Sequence, residues 1–278
     1  MSSRLKKYIT GLISGRPDRH SSRSQNSGST EMLLEMQIQQ SRLQRLGPKA
    51  LGQWGCHLYS QNFEDGIIAE ILSRIGDGSR TFVEIGVENG LECNTRFLLQ
   101  QGWRGLWIEG SAKHVEAARA RFATEIANGQ LQIVQQWISP QNVQQTISNA
   151  GLADNLDFLS VDIDMQTHNV WRAIETLPRF ACIEYNGNIP PSVDFEVPNE
   201  AGHDWQGNAF YGAGLKALEK IGREKSMSLV GCDTHGINAF FVRSDLTESH
   251  FAAPFTAEHQ FEPMRLNLVK RQGHRRPS

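Results

Sequence analysis

The sequence has few cysteines, no long apolar run and almost no net charge, and each shortage excludes a class of protein. Its 278 residues include four cysteines, none of them in a Cys-x-x-Cys pair or in a Cys/His cluster at zinc spacing. A disulfide scaffold and a zinc site of that kind are therefore excluded, and we expect reduced thiols. A formal charge of −2 argues against a general polyanion binder, and hence against a specific role on nucleic acid.

The chain also lacks the segments that direct a protein into or across a membrane. No apolar run approaches the roughly 20 residues that span a bilayer. The start of the chain, Met1 to Ser14, is basic, but its apolar centre is too short and too broken for a signal peptide. We therefore expect a soluble, cytoplasmic protein.

Charge is distributed unevenly along the chain although its sum is small. Residues 1–30 are basic and serine-rich, which predicts a disordered tail, and residues 251–278 are predicted to form a second basic tail. Either tail could touch a membrane surface or a polyanionic partner, although solvated termini are the simpler interpretation. Residues 31–58 should form an N-terminal helix and its connection, and this helix could pack on the body or on a second subunit of a homo-oligomer.

The body, residues 59–250, alternates short apolar runs with helical stretches such as Gln61–Gly76 and Ser111–Ala127. The runs that predict strands are Thr81–Ile85, Gly105–Ile108, Leu131–Val134, Leu156–Val161, Phe180–Tyr185, Ser228–Cys232 and Ala239–Arg243. This alternation is typical of an α/β fold with a doubly wound, mostly parallel sheet covered on both sides. The last two runs are so close that they predict a terminal antiparallel hairpin.

Ligands of such a sheet bind at the carboxyl ends of its strands. After the first strand, Glu84 precedes a turn at Gly86, but Glu88 interrupts the glycine pattern of a dinucleotide phosphate loop. Because an acidic loop repels pyrophosphate, the ligand should carry an amino group and no phosphate. Glu109 follows the second strand about 20 residues after Gly86, the interval at which an acid can bridge the hydroxyls of a ribose. The alternative is a turn glycine with a solvated acid.

Oxygen-bearing side chains follow the fourth and fifth strands. Asp162 and Asp164 are two residues apart, as are Glu184 and Asn186, so each pair should lie on one face of its strand end. These four residues could hold Mg²⁺ or another divalent cation, or they could bind loop amides and the ligand's amino group without metal. Both interpretations stay open.

Histidines near this edge are candidate bases. His168 is the first choice because it closely follows the two aspartates, and His203 and His235 are alternatives. The segment from Gly187 to Ala209 has the length of a substrate lid.

Several blocks of the body together resemble a known family. They are Tyr59-Ser60-Gln61, Glu84-Ile85-Gly86 with Asn94-Thr95, Gly102-Trp103-Arg104-Gly105 leading to Glu109, Ser160-Val161-Asp162-Ile163-Asp164, Ile183-Glu184-Tyr185-Asn186 and Phe210-Tyr211-Gly212-Ala213. In combination they resemble the FkbM-like class I S-adenosylmethionine-dependent methyltransferases. The resemblance implies a Rossmann-like sheet of seven strands, with the methyl donor at these strand ends. The implied donor-binding residues are Gln61, Glu84, Gly86, Asn94, Glu109, Gln136, Trp137 and Asp162.

The same resemblance implies O-methylation of a hydroxyl on a sugar, glycan or natural product. Asp162, Asp164, Glu184 and Asn186 would position the acceptor, with or without a metal ion, and His168 or a metal-bound alkoxide would complete the proton transfer. Three rival interpretations remain. They are a non-catalytic protein that binds the donor or a glycan, a nicotinamide-dependent oxidoreductase, and an accessory protein docked on an envelope assembly through its basic tails.

Overall fold

The computed structural model describes residues 33, 36, 37, 40, 41, 43, 44, 46–198 and 209–265. The chain divides into two compact units, Met1–Arg42 and Leu43–Ser278. The described residues of the first unit are helical and lie within the segment 31–58, for which the sequence predicts a helix and its connection. The predicted N-terminal tail, residues 1–30, and the part of the predicted C-terminal tail after Arg265 lie outside the described residues.

The second unit is built on one sheet of seven strands. The strands are β1 (Thr81–Ile85), β2 (Arg104–Glu109), β3 (Leu131–Gln135), β4 (Phe158–Val161), β5 (Phe180–Glu184), β6 (Met227–Cys232) and β7 (Asn238–Arg243). Their order across the sheet is β3-β2-β1-β4-β5-β7-β6, and β7 runs antiparallel to both of its neighbours. The predicted doubly wound sheet and its terminal antiparallel hairpin are therefore confirmed.

Helices cover both faces of the sheet. They are α1 (Glu64–Ile75), α2 (Arg96–Gln100), α3 (Ala112–Arg121), α4 (Ala123–Ala127), α5 (Val143–Asn149), α6 (Thr167–Ala173), α7 (Leu215–Glu224) and α8 (Ala257–Gln260). The single helix expected over Ser111–Ala127 is divided at Phe122, which ends α3 and begins α4. The Phe122 ring packs edge-on against Trp107 at 4.7 Å, and this packing accompanies the break. Within the described part of the chain, no helix is long and apolar enough to cross a bilayer.

The central strands are buried on both faces, which explains why their sequences are nearly continuous apolar runs. Every residue of β1, β4 and β5 is buried. Alternate side chains serve separate cores, with Val83 and Leu159 in the core on one face and Phe82 and Phe158 in the core on the other. Full burial of a side chain of this size contributes about 1.5–3 kcal/mol, so the sheet is a rigid base for the loops at its edge.

The strand order reverses between β1 and β4, the point at which doubly wound sheets bind ligands. Gly86 follows β1 with φ +88°, and a Cβ atom there would lie 1.8 Å from the carbonyl oxygen of Asp162. Only glycine fits both this conformation and this approach. The loops after β1 and β4 are thereby held against each other.

The ordered body extends beyond the predicted boundary at residue 250. Met264 donates its backbone N–H to Gly187 O at 3.2 Å, and Arg265 donates its own to His235 O at 2.8 Å. A Cβ atom on Gly236 would lie 2.4 Å from the backbone of Pro263. Residues 251–265 are therefore part of the body, and the predicted tail can begin only after them.

Candidate active site

A cavity of about 950 Å³ lies at the carboxyl edge of the sheet, where the strand order reverses. It is lined by Gln61, Asn62, Gly86, Glu88, Glu92, Glu109, Ser111, His114, Trp137, Asp162, Ile163, Asp164, Glu184, Asn188, Tyr211, Ile237 and Met264. Six of these described lining residues are Asp or Glu, and none is Lys or Arg. The cavity is large enough for a cofactor together with a small substrate, and its charge favours cationic groups.

Glu84 holds the loop beside the cavity in place and does not line the cavity. Its carboxylate accepts hydrogen bonds from the backbone N–H of Asn94 at 2.7 Å and of Thr95 at 2.9 Å, and from Thr95 Oγ1 at 2.5 Å. Burial raises the pKa of Glu84 to about 7, although these donors favour the charged form. The Asn94 side chain points to Ser160 Oγ at 3.0 Å. Both residues support the loop, and the structure does not bring either predicted donor ligand to the cavity wall.

Glu109 ends β2 and lines the cavity, as its position in the sequence predicts. One carboxylate oxygen accepts the Glu88 N–H and the other accepts the Ser111 N–H, each at 2.8 Å. His114 lies 3.9 Å away. The two amides fix the orientation of the carboxylate, and each oxygen keeps a lone pair that can accept a hydroxyl proton from a ligand.

Trp137 and Gln136, which follow β3, border a smaller pocket of about 220 Å³ beside the main cavity. The Trp137 side chain is 69% exposed and lies over Gly110, where a Cβ atom would come within 2.5 Å of the indole. Ile108, Ile138 and Ile163 complete the apolar wall of this pocket. A flat ring can enter between an exposed indole and such a wall.

Asp162 and Glu184 stand at the ends of β4 and β5, where their carboxyl groups interact. Their carboxyl groups are hydrogen-bonded to each other, which lowers the pKa of Asp162 and raises that of Glu184. Burial is the largest effect on both: it raises the pKa of Asp162 to about 7 and that of Glu184 well above its usual range. Thr167 Oγ1 also donates to Glu184, at 3.2 Å. Burial therefore favours the protonated form of both groups, and a pKa of about 7 lets Asp162 ionise near neutral pH.

The residues predicted as metal ligands do not form one ligand set. Asp164 lines the cavity, but Asn186 is fully buried and its side-chain amide donates to Ala209 O at 2.6 Å. Asp162 and Glu184 are occupied with each other. Among the residues that the structure describes, no group of three or more His, Cys, Asp or Glu side chains could hold a metal ion. These residues do not fit a metal ion, and no step below is derived through one.

The structure does not bring His168 to the cavity. It lies on α6 with 0% exposure, and its Nε2 is 3.0 Å from the carbonyl oxygen of Val197. Burial lowers its pKa. His235 is buried in the turn between β6 and β7, stacked on Phe63 at 4.9 Å. His203 lies outside the described residues, as do residues 199–208 of the predicted lid.

Gln61 lines the cavity as the sequence predicts, because a buried carboxylate shapes the loop before α1. One oxygen of Asp65 accepts the backbone N–H groups of Leu58, Tyr59 and Ser60 at 2.8–2.9 Å. Phe63 then turns the chain into the helix with φ 73°. This geometry also places Asn62 at the cavity.

Several wall residues were not among the predicted site residues. Tyr211 falls in the block Phe210-Tyr211-Gly212-Ala213 that supports the resemblance, so a signal for it was present. Met264 had none, because nothing in the sequence around it has a regular period. Its sulfur lies 3.5 Å from Asn188 Nδ2 and 4.0 Å from the Tyr211 hydroxyl.

No family model and no curated protein sequence matches the chain. Among solved structures, it is similar to an O-methyltransferase from Bacillus cereus, with 17% identity, a TM-score of 0.42 and 86% of this chain and 97% of that chain covered. A putative O-methyltransferase from Klebsiella pneumoniae has 16% identity, a TM-score of 0.41 and coverage of 87% and 97%. The pyocyanin biosynthetic protein PhzM has 13% identity, a TM-score of 0.39 and coverage of 63% and 53%, so this chain spans about half of its length.

Proposed function

We propose that this protein is an S-adenosylmethionine-dependent methyltransferase that transfers a methyl group to a hydroxyl of a small molecule or glycan. The observation that supports it best is the order of three neighbouring strand ends around one cavity. A tight glycine turn follows β1, an oriented carboxylate ends β2, and an exposed indole follows β3. In this order, the three features suit the amino-acid chain, the ribose and the base of a nucleoside that carries an amino-acid chain.

Each feature suits one part of the donor. The carboxylate of Glu109 can accept both ribose hydroxyls, and the pocket at Trp137 can take the adenine ring. Gly86 lets the donor approach the backbone closely, since any side chain there would be stopped by Asp162 O. Gln61 can donate a hydrogen bond to the donor's carboxylate. The residues present therefore fit the donor.

The charge of the lining separates this donor from a nicotinamide cofactor. A pyrophosphate needs cationic or backbone N–H partners, whereas the described lining has six carboxyl groups and no Lys or Arg. Glu88 and Glu92 would face the phosphates directly. A sulfonium and an ammonium are stabilised by the same groups.

Methyl transfer needs an aligned acceptor and a group that takes its proton. When bound, the donor supplies an electrophilic methyl carbon on a positively charged sulfur. Asp162 lines the cavity and is half-buried, with a carboxyl group that ionises near neutral pH. We assign to it the removal of the hydroxyl proton, while Tyr211 and Asn188 hold the acceptor by hydrogen bonds.

Binding of S-adenosylhomocysteine to the full chain tests the proposal. At 100 times its Kd the ligand should add about 2.7 kcal/mol to the free energy of unfolding, whereas NADH should add nothing. The variant Glu109→Gln should weaken binding about tenfold or more, because it replaces a charged acceptor of hydrogen bonds. Glu116→Gln is the matched control, since Glu116 is exposed on α3 and outside the lining.

Three results would contradict the proposal. Stabilisation by NADH in place of S-adenosylhomocysteine would favour an oxidoreductase. Equal affinities of the two Glu→Gln variants for S-adenosylhomocysteine would show that Glu109 does not bind the donor. Binding of the donor product without turnover of any acceptor would identify a non-catalytic protein of the same fold.

A further inference from the structure

The donor's carboxylate needs hydrogen-bond donors, and the cavity offers it neutral side chains. The described lining holds no Lys or Arg, so amides such as those of Gln61 and Asn62 have to bind this carboxylate. A neutral N–H···O bond requires a separation of about 2.7–3.2 Å, whereas a charge acts over longer distances. Binding of the donor is therefore sensitive to the position of the loop that contains Gln61 and Asn62.

Glu64 lies directly after this loop, as the first residue of α1, and its side chain is only 1% exposed. One carboxylate oxygen accepts the backbone N–H of Asn62 at 2.6 Å, and the other accepts Asn238 Nδ2 at 2.8 Å. Burial raises the pKa of Glu64, against the effect of these two hydrogen bonds, which favour the carboxylate. The carboxylate therefore joins the loop to a second element of the fold.

That second element, the turn between β6 and β7, is itself firmly held. The buried carboxylate of Asp233 accepts the backbone N–H groups of His235 at 2.6 Å and of Ile237 at 2.9 Å, and also that of Asn238. The His235 ring stacks on Phe63, the last residue before α1, at 4.9 Å. The turn therefore contacts the loop through a ring stack as well as through the Glu64 carboxylate, and it can serve as a fixed anchor.

We propose that Glu64 is a positioning residue for the methyl donor, which keeps the amides of Gln61 and Asn62 at hydrogen-bond distance from the donor's carboxylate. Glu64 is not part of the cavity lining, so it acts through the loop and not by contact with the ligand. This role requires a side chain that reaches both partners, and it does not require a negative charge. The inference rests on the proposed methyltransferase function.

Two conservative variants separate the reach of this side chain from its charge. Glu64→Asp keeps the charge but is one CH₂ group shorter, so its carboxylate cannot meet both Asn62 N and Asn238 Nδ2. Glu64→Gln keeps the length, and its oxygen can still accept the Asn62 N–H. Its amide nitrogen can donate to Asn238 Oδ1, which has no hydrogen-bond partner among the described residues and takes the place of Nδ2 when that amide turns over.

Calorimetry with S-adenosylhomocysteine on the full chain measures the effect of each variant. Glu64→Asp should bind this ligand about tenfold more weakly than the wild type, the loss expected for one hydrogen bond to a charged group. Glu64→Gln should stay within about threefold of the wild type.

Asp157 supplies a control for a general loss of stability. Its side chain is 3% exposed and accepts the backbone N–H of Thr81 at 3.0 Å, at the edge of the sheet opposite the cavity. Asp157→Ala should lower Tm and leave the affinity for S-adenosylhomocysteine unchanged. Melting curves of all variants show which of them are folded at the temperature of the titration.

The order of the two Glu64 variants decides the inference. Weaker binding by Glu64→Gln than by Glu64→Asp, equal losses in both, or wild-type affinity in both would each overturn it, as would an equal loss in Asp157→Ala. Glu64→Gln decides alone if Glu64→Asp does not fold, because a loss of binding in that variant contradicts a role of reach. If the wild type itself does not bind S-adenosylhomocysteine, the proposed function fails and the inference fails with it, whereas the other outcomes leave the proposed function intact.

Discussion

The turn at Gly86 gives the sharpest test of the geometry around the cavity. Its φ of +88° disfavours any residue with a Cβ atom, and that atom would lie 1.8 Å from the carbonyl oxygen of Asp162. An ordinary contact between carbon and oxygen is about 3.3 Å or longer, so Gly86→Ala would push the two loops apart by about 1.5 Å. This movement strains the hydrogen bonds from Gly86 N to Ile108 O at 3.0 Å and from Asp162 N to Ile85 O at 3.1 Å.

The cost of this substitution has two separable parts. The left-handed backbone contributes about 1–2 kcal/mol, and the forced displacement of packed backbone adds about 1–3 kcal/mol. The two parts together are about 2–5 kcal/mol. For a domain of this size each kcal/mol lowers Tm by about 2–4 °C, so Gly86→Ala should lower Tm by roughly 4–20 °C.

Gly102 supplies the control. Its φ is +85°, nearly the same, but a Cβ atom there meets nothing within 4 Å. Gly102→Ala should therefore lower Tm by only about 2–8 °C, the backbone part alone. Melting curves of the two variants measure the difference. Equal losses would refute the close contact between the loops after β1 and β4.

Two further predictions concern the reaction and the donor. The kcat/KM for methyl transfer should rise between about pH 6 and pH 8, because burial raises the pKa of Asp162 to about 7 and only its carboxylate form accepts a proton. A flat profile over this range would exclude Asp162 as the base. Trp137→Ala should weaken binding of S-adenosylhomocysteine about tenfold, since stacking on an aromatic ring is lost. Because its indole is 69% exposed, Tm should change by only about 1 °C, and calorimetry with a melting curve checks both.

Most of the sheet can be predicted from the sequence because burial on both faces leaves an unmistakable pattern. β1 begins and ends at the predicted residues, and the other strands differ from their predicted bounds by one or two residues. The hairpin of β6 and β7 was predictable because so few residues separate its strands. The break at Phe122 was not, since the apolar spacing of a helix continues across it.

The site was predictable where a residue ends a strand or directly follows it and lines the cavity at the open edge, as Glu109 and Asp162 do. It was not predictable for Glu84, whose partners are the amides of Asn94 and Thr95. The alternation of side chains along a strand predicts which face of the sheet each one lies on. It does not predict that the loop at Asn94 and Thr95 folds over Glu84. The prediction for His168 was wrong because its proximity to the aspartates in the sequence does not determine which side of α6 it lies on.

The C-terminal wall illustrates a different limit. Met264 reaches the cavity because its backbone passes Gly187 and Gly236, where a Cβ atom would meet its amide within 2.9 Å. Contacts among the backbones at Gly187, Gly236 and Met264 do not require a periodic pattern of apolar residues, so the sequence gives no sign of them. Composition alone made this segment resemble a solvated tail.

The pKa values of Asp162 and Glu184, both raised by burial, couple donor binding to the release of a proton. In the free protein, burial favours the protonated forms of these carboxyl groups. A sulfonium or an ammonium that arrives beside the pair stabilises both carboxylates and releases the proton to the solvent. The proposed donor therefore competes with a proton, and the heat measured on its binding will include the ionisation of whichever buffer collects that proton.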